Sequence, residues 1–297
     1  MKIKKVTKAV FPVAGMGTRF LPATKSIPKE IMTLVDRPLI QYAIDEARAA
    51  GIKEFIFVTS RGKSALEDYF DHSPELESAL RKAGKEDLLE VLKETNMDSG
   101  AIAYLRQTRP LGLGHAVWCA RRLIGDEPFA VLLPDDVIAA EKPCLQQMIE
   151  AYEQTGGNMV AAMEVPPHKA SSYGVLDIAE DMGAIVKAKG MVEKPKAEDA
   201  PSNLAVIGRY ILTPKVLSNL NNMKQGAGGE IQLTDAIAEE TKTGDVYGYR
   251  FRGQRYDCGS KAGFLQATVA FGLARPDLRD EFGAYLNDMI ALQKAAQ

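Results

Sequence analysis

Three cations close to a glycine turn are among the residues whose types and spacing indicate chemistry. The segment GMGTRFLPATKSIPKE, residues 15–30, carries Arg19, Lys25 and Lys29 after a Gly-x-Gly turn. Glycines at the end of a strand let backbone N–H groups approach an anion, and nearby cations neutralise its charge. Two prolines in the segment stop a regular helix, so the cations are expected on a shaped loop. The segment predicts a loop that could bind a polyphosphate.

Two familiar phosphate-binding motifs do not fit this chain. A dinucleotide-binding fingerprint would need a third glycine where Phe20 stands. A Walker loop ending at residues 62–64, Gly-Lys-Ser, would need a glycine where Phe57 stands. The sequence therefore disfavours a nicotinamide-dependent dehydrogenase. Taken alone, the glycine turn could also be an ordinary turn that ends a strand and binds no ligand.

A pair of carboxylates follows a buried apolar run. Asp135 and Asp136 come directly after FAVLLP, residues 129–134. Open α/β sheets bind ligands at the carboxyl ends of their strands, and magnesium is usually held by one or two carboxylates plus substrate phosphates. Asp135 and Asp136 are therefore candidate metal ligands, and the resemblance described below favours Asp135. Asp136 is the second choice, because it could equally be a turn or helix-cap residue.

The charge is unevenly distributed along the chain. The formal net charge is −2 over 297 residues and the pI is about 6.0, which argues against a general nucleic-acid binder. Residues 1–29 nevertheless hold seven lysines and arginines and no acidic residue, whereas the remaining 268 residues carry 30 basic and 39 acidic side chains. Lys2, Lys4 and Lys5 fit ordinary surface charges.

The cysteines and the apolar runs bear on the compartment. Cys119, Cys144 and Cys258 are odd in number, far apart and without a CxxC pair, which disfavours a disulfide framework and favours a reducing compartment. No stretch approaches the ~18 apolar residues of a membrane span, and the N-terminal apolar run breaks at Pro12. We expect a cytoplasmic protein with no membrane partner.

Alternating strands and helices in the first 165 residues predict a mostly parallel sheet with covering helices. The expected strands are 8–14, 54–60, 101–107, 129–134 and 158–165, and the expected helices are 38–51, 63–95 in two pieces, 114–124 and 143–155.

The rhythm changes after residue 165. Three strand-like runs with few helices between them suggest an antiparallel insertion or extension of the sheet; they are 173–178, 184–194 and 204–212. A helix at about 230–242, a strand at 246–251 and two helices from 260 onward follow. Without a Pro/Gly/Ser-rich hinge, one continuous domain with a helical C-terminal extension is expected.

The extended string 15–30 resembles the signature of sugar-phosphate nucleotidylyltransferases, and its lysine-rich form, with LVDRPLIQYAIDEA after it, is similar to the bacterial uridylyltransferases that act on glucose 1-phosphate. Further ordered segments extend the resemblance over nearly the whole chain: QTRPLGLGHAV (107–117), LLPDDV (132–137), YGV (173–175), VEKP (192–195), PSNLAVIGRYIL (201–212), GGEIQLTDAI (228–237) and YDCG (256–259).

The resemblance implies an architecture. It is a three-layer α/β/α Rossmann-like nucleotide-diphospho-sugar transferase fold with a mixed, mostly parallel central sheet and a helical C-terminal extension. Residues 1–259 would be the catalytic domain, with 1–137 mainly binding the nucleotide and 138–259 mainly the sugar phosphate. Residues 260–297 would be the extension and a candidate oligomer contact, in a homodimer or homotetramer.

The resemblance also implies a reaction. UTP and α-D-glucose 1-phosphate would give UDP-glucose and pyrophosphate, with Mg²⁺, by direct in-line attack of the sugar phosphate on the α-phosphorus. A phosphate monoester has a second pKa near ~6, so it is mostly dianionic at neutral pH and needs no general base. Catalysis of this kind depends on positioning and electrostatics.

The resemblance assigns roles residue by residue. The catalytic residues would be Arg19, Lys29 and Lys194, and the metal ligands Asp135 and Asp257. Nucleotide binding would fall to Ala14, Gly15, Gly17, Thr18, Lys25, Gln107 and Gly112, and sugar-phosphate binding to Gly174, Glu193, Lys194 and Glu230. Lys25 could equally be a solvated surface charge, and Glu30, Asp136 and His115 receive no role.

Glu193 and Lys194 are consecutive residues, and a regular strand would not point both side chains into the same site. Consecutive residues of a strand point to opposite faces of the sheet. Either Pro195 ends the strand with a local twist, or the two side chains serve different sides of the site.

Two other functions stay open at the level of sequence. One is a dTTP-using glucose-1-phosphate thymidylyltransferase, which would differ in whether the base pocket admits a methyl group. The other is a non-catalytic sugar-nucleotide-binding regulator, which would be expected to lack a metal-binding aspartate or the basic loop.

Overall fold

The computed structural model describes residues 3–222, 226 and 229–295. Lys2 of the basic N-terminal segment, Gly228 of the GGEIQLTDAI segment and residues 296–297 of the expected extension lie outside the described residues.

The described strands form one large sheet and two small ones. Those in the described part of the chain are β1 Lys8–Pro12, β2 Thr33–Leu34, β3 Arg37–Pro38, β4 Glu54–Thr59, β5 Ile102–Arg106, β6 Phe129–Leu132, β7 Asp136–Ala139, β8 Asn158–Glu164, β9 Gly174–Asp181, β10 Ile185–Glu193, β11 Leu204–Leu212, β12 Val246–Arg250 and β13 Gln254–Asp257.

Helices connect the strands and follow the last one. The described α-helices are α1 Leu39–Ala49, α2 Ser64–Phe70, α3 Pro74–Lys82, α4 Glu86–Thr95, α5 Leu113–Cys119, α6 Arg121–Ile124, α7 Cys144–Thr155, α8 Pro214–Asn222, α9 Leu233–Glu240, α10 Lys261–Ala274 and α11 Arg279–Ala295. Among the described ranges, no helix is both long and apolar enough to cross a membrane.

One mixed sheet of nine described strands has the order β5-β4-β1-β6-β11-β8-β12-β10-β9. Strands β5, β4, β1 and β6 run parallel to one another, and β8 and β12 run parallel to each other. Strand β11 runs antiparallel between β6 and β8, and β10 runs antiparallel to both β12 and β9. The mixed central sheet is confirmed, but the expectation that it is mostly parallel was wrong, because four of the pairings between its described strands are parallel and five are antiparallel. The parallel pairs form two blocks because β11 separates them.

Helices cover both faces of this sheet. Successive residues of a strand point to opposite faces, and in β1 Val10 and Phe11 accordingly belong to two different apolar clusters. One cluster contains Ala116 of α5 and Ile237 of α9, and the other contains Ile44 of α1, together with apolar residues of α7. Each cluster buries apolar surface between a helical layer and the sheet, which stabilises the fold.

Two sequence expectations about helices were wrong in detail. The expected helix 114–124 is divided into α5 and α6 at Ala120. The stretch 63–95 forms three helices rather than two, because a second break falls at residues 83–85, where a glycine disfavours helix continuation. Helix α8 and the short strands β7 and β13 were not expected. Strands β7 and β13 pair only with each other in the described chain, and their register sets Asp136 opposite Asp257.

The C-terminal helices follow this small β7–β13 sheet. Ser260 caps α10, because its hydroxyl accepts the Gly263 N–H at 3.1 Å. A third apolar cluster joins α10 to the core through Ala267, Cys258 and Val137. The two helices predicted from residue 260 onward are therefore present, and the first of them supports the strand that ends at Asp257.

Candidate active site

The glycine turn lies just beyond the carboxyl end of β1. Gly17 adopts a positive φ of 64° immediately before a 3₁₀ turn over Thr18–Phe20, and the Thr24 hydroxyl donates to the Gly17 carbonyl at 2.8 Å. A Cβ added at Gly17 would lie 3.2 Å from the Cβ of Lys29. The absence of a side chain at Gly17 thus lets the turn pack directly against the segment that carries Lys29.

Two adjoining cavities open at this edge of the sheet, with volumes of about 530 and 430 Å³. Arg19, Leu113, Leu133 and Asp135 line both of them, so the cavities share a wall. The larger one is also lined by Ala14, Gly15, Gly17, Thr18, Lys29, Gln107 and Gly112, and we call it the nucleotide-side cavity because most of these residues are the ones expected to bind the nucleotide. The other is also lined by Gly174, Glu193, Lys194 and Asp257, and we call it the sugar-side cavity because it contains residues expected to bind the sugar phosphate.

Two expected site residues lie elsewhere. Glu230, expected on the sugar side, lines the nucleotide-side cavity beside Gly112. Lys25 is exposed and is not among the described residues that line either cavity. The other expected residues are brought together around the two cavities.

Lys29 and Asp135 form an ion pair in the nucleotide-side cavity, with Lys29 Nζ 2.5 Å from Asp135 Oδ2. Burial alone would lower the pKa of Lys29, but the negative charges of Asp135 and Glu30 outweigh it, so that pKa is raised. Burial alone would raise the pKa of Asp135, but the charge and hydrogen bond of Lys29 outweigh it, so that pKa is lowered. Both groups are therefore charged at neutral pH.

The carboxylates of Asp135 and Asp257 converge on Gly259. A Cβ added there would lie 2.9 Å from Asp135 Oδ2 and 3.1 Å from Asp257 Oδ1. Arg19 Nη1 donates to the Gly259 carbonyl at 3.3 Å, which brings a guanidinium to the same place. The described chain contains no group of three or more His, Cys, Asp or Glu side chains that could hold a metal by themselves. Two carboxylate donors fit a magnesium ion that completes its coordination with substrate phosphates and water.

The carboxylate of Asp136 is bound by neighbouring protein groups. Its Oδ2 accepts the Gly208 N–H at 2.7 Å and its Oδ1 accepts Arg255 Nε at 2.6 Å. The carboxylate is buried and both oxygens bind protein donors. Of the two adjacent aspartates, Asp135 is thus the one that faces the shared wall with an oxygen near Asp257.

A buried arginine holds the loop that carries these aspartates. Arg209 in β11 is 1% exposed and pairs with Glu46 of α1 through bonds of 3.0 and 2.9 Å. Its remaining N–H groups donate to the carbonyls of Leu133, Gly208 and Asp136 at 2.7–3.0 Å. A planar guanidinium with several fixed donors suits this role, because buried charge must be paired and hydrogen-bonded.

Glu30 and Lys63 form a second buried pair behind Lys29. Lys63 Nζ lies 2.8 Å from Glu30 Oε2, and both side chains are less than a tenth exposed. Burial raises the pKa of Glu30 and lowers the pKa of Lys63, despite their mutual attraction. Lys63, which belongs to the Gly-Lys-Ser sequence that does not complete a Walker loop, is therefore a buried partner of Glu30.

Gln107 is held at the nucleotide-side cavity by its own amide. Its Nε2 donates to the Gly112 carbonyl at 3.0 Å and lies 3.0 Å from His115 Nδ1. The His115 ring stacks on Trp118, and burial lowers the pKa of His115. A neutral imidazole can accept the amide proton, so His115 orients Gln107. Gly112 has φ 99°, and a Cβ there would lie 2.7 Å from Glu230 Cβ.

Glu193 and Lys194 lie on the same side of the site. Lys194 has a positive φ of 44°, which is strained for lysine and turns its side chain toward its neighbour. Lys194 Nζ lies 3.2 Å from Glu193 Oε1, and the Thr234 hydroxyl donates to Glu193 Oε2 at 2.7 Å. Gly174 pairs with Glu193 across β9 and β10. A local twist, the first of the two alternatives left open by the sequence, is what the backbone adopts.

Arg255 lines the sugar-side cavity and was missed from the sequence. It precedes Asp257 by two residues in β13, so the two side chains share a face of that strand. That spacing was a usable signal, but it became informative only once β13 was known to be a strand.

The chain is similar to known proteins over nearly its whole length. Residues 8–272 match the family model described as nucleotidyl transferase. The UTP–glucose-1-phosphate uridylyltransferase of Komagataeibacter xylinus is 55% identical over 259 residues, covering 87% of this chain and 91% of the relative. The enzyme of the same name from Bacillus subtilis (strain 168) is 48% identical, covering 97% of this chain and 98% of the relative.

Solved structures give a similar result. A UDP-glucose pyrophosphorylase from Acinetobacter baumannii superposes with a TM-score of 0.88 at 43% identity, covering 96% of this chain and 99% of that one. A UTP-bound form from the same organism has a TM-score of 0.87 at 44% identity, with 95% and 98% covered. A UDP-glucose pyrophosphorylase complexed with UDP-glucose has a TM-score of 0.81 at 44% identity, with 91% and 100% covered.

Proposed function

The chain belongs to the nucleotidyl transferase family, and we propose that within it the protein transfers the uridylyl group of UTP to α-D-glucose 1-phosphate, forming UDP-glucose and pyrophosphate. The observation that carries the proposal is the shared wall of Arg19 and Asp135 between two adjoining cavities. Relatives that are 48–55% identical over most of the chain bear names for this reaction.

The transfer is a direct substitution at phosphorus. An oxygen of the sugar phosphate forms a bond to the α-phosphorus of UTP, and the bond from that phosphorus to the bridging oxygen of pyrophosphate breaks. The nucleophile is already ionised at neutral pH, so no proton has to be removed. The protein's tasks are to bring two anions together and to stabilise the charge that develops on pyrophosphate.

Arg19 and Lys29 suit the second task. Arg19 stands on the shared wall, where its planar guanidinium can bind two phosphate oxygens at once. Lys29 is held beside the same wall by its ion pair with Asp135. We assign Arg19 to the β and γ phosphates, with backbone N–H groups of the Gly15–Thr18 turn, and Lys29 to the reacting phosphates. Lys25, if it contributes, does so from outside the cavity lining.

Asp135 and Asp257 are assigned to Mg²⁺. The convergence of one oxygen from each on Gly259 supports this, and so does the engagement of Asp136 by protein donors. When bound, the ion neutralises phosphate charge and orients the triphosphate. The two carboxylates would fix its position relative to Arg19, because β13 and the loop after β6 are joined through the β7–β13 pairing.

Uracil is assigned to Gln107, Gly112, Ala14 and Gly15. The Gln107 amide nitrogen is engaged by Gly112 and His115, so its carbonyl oxygen is the group left to accept the N3–H of uracil. Glycine backbone at positions 15 and 112 lets a planar base lie close to the main chain.

The glucose ring is assigned to Gly174 and Glu193, and its phosphate to Lys194. Glu193 is oriented by the Thr234 hydroxyl, and a charged acceptor makes strong hydrogen bonds to sugar hydroxyls. Lys194 lines the same cavity from a strained backbone position that its neighbours maintain. Glu230, by its place beside Gly112, suits the ribose end better than the glucose ring.

The larger-scale expectations are proposals of the same kind. We propose the three-layer α/β/α Rossmann-like nucleotide-diphospho-sugar transferase fold, supported by apolar clusters on both faces of the sheet. Residues 1–137 and 138–259 would mainly serve the two substrates. Residues 260–297 would form an extension that contacts another subunit in a homodimer or homotetramer, and the cytoplasm would be its location.

The experiment is product formation with competing nucleotides. The protein is incubated with glucose 1-phosphate, Mg²⁺ and either UTP or dTTP, and the sugar nucleotide is identified by mass. UDP-glucose formed with a higher kcat/KM for UTP supports the proposal. A preference for dTTP would make the protein a thymidylyltransferase, and tight binding of UDP-glucose without turnover would make it a regulator.

A further inference from the structure

Arg255 bridges the two sides of the proposed site. Its side chain is 9% exposed and lines the sugar-side cavity. Nε donates to Asp136 Oδ1 at 2.6 Å, and Nη1 donates to the Tyr173 hydroxyl oxygen at 2.9 Å. Nη2 lies 3.9 Å from Asp257 Oδ1. One planar cation therefore contacts three segments that are far apart in sequence.

The first arm, the contact of Arg255 with Asp136, fixes the loop that carries Asp135 and Asp136. Asp136 directly follows Asp135, and its other oxygen accepts the Gly208 N–H of β11 at 2.7 Å. Removing the Arg255 guanidinium would leave a buried carboxylate with one charged partner fewer, which is costly. The backbone that carries Asp135 is thus held from one side by Arg209 and from the other, through Asp136, by Arg255.

The second arm fixes the sugar-side wall. Tyr173 directly precedes Gly174, and its carbonyl accepts the Lys194 N–H at 3.0 Å. The guanidinium carbon of Arg255 also lies 5.3 Å from the centre of the Tyr173 ring, within the range of a cation–π contact. Tyr173 therefore adjoins Gly174 along the chain and Lys194 through a hydrogen bond, the residues assigned to the sugar and its phosphate.

We propose that Arg255 is a positioning residue that holds the Tyr173–Gly174 wall of the sugar-side cavity in register with the Asp135 and Asp257 carboxylates. This inference rests on the proposed function, because it takes the ligand of the sugar-side cavity to be a hexose phosphate. Lysine cannot replace arginine here, since a single ammonium lacks the fork that reaches a carboxylate and a hydroxyl together.

Loss of the Tyr173 contact alone and loss of both Arg255 contacts, those with Asp136 and Tyr173, should have different kinetic effects. Tyr173→Phe removes only the hydroxyl arm and keeps the ring. Its KM for glucose 1-phosphate should rise roughly tenfold, as expected for a lost hydrogen bond to a charged group, while its KM for UTP should stay within about twofold. Arg255→Gln loses both arms, so it should raise the same KM further and also lower kcat by roughly tenfold or more.

The test combines kinetics with binding. Wild type, Tyr173→Phe, Arg255→Gln and Arg255→Lys are compared for both KM values, and the Kd of UDP-glucose and of UTP is measured by calorimetry in EDTA. Arg252→Gln is the matched control, because it removes the same charge from an exposed position three residues away. We expect UDP-glucose affinity to fall in the two Arg255 variants and in Tyr173→Phe, with UTP affinity and the Arg252 variant unchanged.

Equal losses for UTP and glucose 1-phosphate would indicate general loosening and would overturn the positioning role. Unchanged KM and Kd values for the sugar ligands would overturn it as well. Tyr173→Phe decides the matter even if Arg255→Gln does not fold. If the wild type turns over normally and the variants have unchanged KM and Kd values, only the role of Arg255 is contradicted. A wild type that neither turns over nor binds UDP-glucose contradicts the proposed function, and the Arg255 proposal with it.

Discussion

Single residues in the nucleotide-side cavity combine opposite charges at short range. Lys29 is paired with Asp135, and Arg19 reaches Gly259 beside the same carboxylate. A paired ion costs less to bury than an isolated one, so Lys29 can be largely buried and still keep its charge at neutral pH. The pair places the Lys29 ammonium beside Asp135, the proposed metal ligand on the wall that both cavities share.

Replacing either cation with alanine should slow turnover while the fold persists. Arg19→Ala and Lys29→Ala should each lower kcat on the order of 10²-fold, the usual size of losing one preorganised charge at a phosphoryl-transfer centre. Pyrophosphate release and thermal melting measure the two properties. Lys5→Ala, an exposed cation from the same basic segment, is the control. Near wild-type turnover in Arg19→Ala or Lys29→Ala would remove that residue from the catalytic set.

At the scale of elements, the small β7–β13 sheet matters as much as the nine-stranded one. It brings Asp257 opposite Asp136 and places Arg255 two residues away on the same face. Helix α10 supports it through the apolar cluster around Cys258. Sequence patterns predicted all nine described strands of the large sheet, α1, α7 and the last two helices, because those segments have clear apolar runs or periodicity.

Other elements could not be predicted because their definition is not local. Strands β7 and β13 have four residues each and exist only through pairing over more than a hundred residues. The entry of β11 between β6 and β8 is likewise a long-range event. Within the site, the resemblance of the 15–30 string predicted Arg19 and Lys29 and that of the LLPDDV segment predicted Asp135, and the structure brings the three together. The positive φ of Lys194 and the double contact of Arg255 depend on tertiary geometry.

The glycines of two loops should respond differently to alanine. Gly15 lines the nucleotide-side cavity, and an added Cβ there would meet no atom within 4 Å. Gly15→Ala should therefore keep its Tm and lose on the order of tenfold or more in kcat/KM for UTP, because the methyl group enters the space assigned to the base.

Gly112→Ala is the matched comparison. Its φ of 99° and the 2.7 Å approach to Glu230 Cβ should cost about 1–3 kcal/mol, which lowers Tm by several degrees. Calorimetric melting and steady-state kinetics test both variants. Equal Tm losses in the two would contradict the difference in their surroundings.

At the scale of the whole molecule, charge is unevenly distributed along the chain although the net charge is only −2. Much of the basic N-terminal segment is used by the fold and the site. Lys8 Nζ pairs with Glu127 at 3.0 Å, Lys4 donates to the Asp126 carbonyl at 2.9 Å, and Arg19 and Lys29 line the cavities. The described side chains that line the two cavities include four cations and five carboxylates, so the site brings together charges of both signs rather than an excess of positive charge. Mg²⁺ bound by the carboxylates would shift that balance toward the positive sign and favour two anionic substrates.

The proposed transfer takes place at the junction of the two cavities, where Asp257 and Asp135 would bind Mg²⁺. Pyrophosphate release from UTP and glucose 1-phosphate tests it most directly, measured for wild type with Mg²⁺, for wild type in EDTA and for Asp257→Asn with Mg²⁺. We predict turnover only in the first case, with more than about 10²-fold loss in the variant and no loss of Tm. Turnover by Asp257→Asn near the wild-type rate, or turnover by wild type in EDTA, would contradict the account.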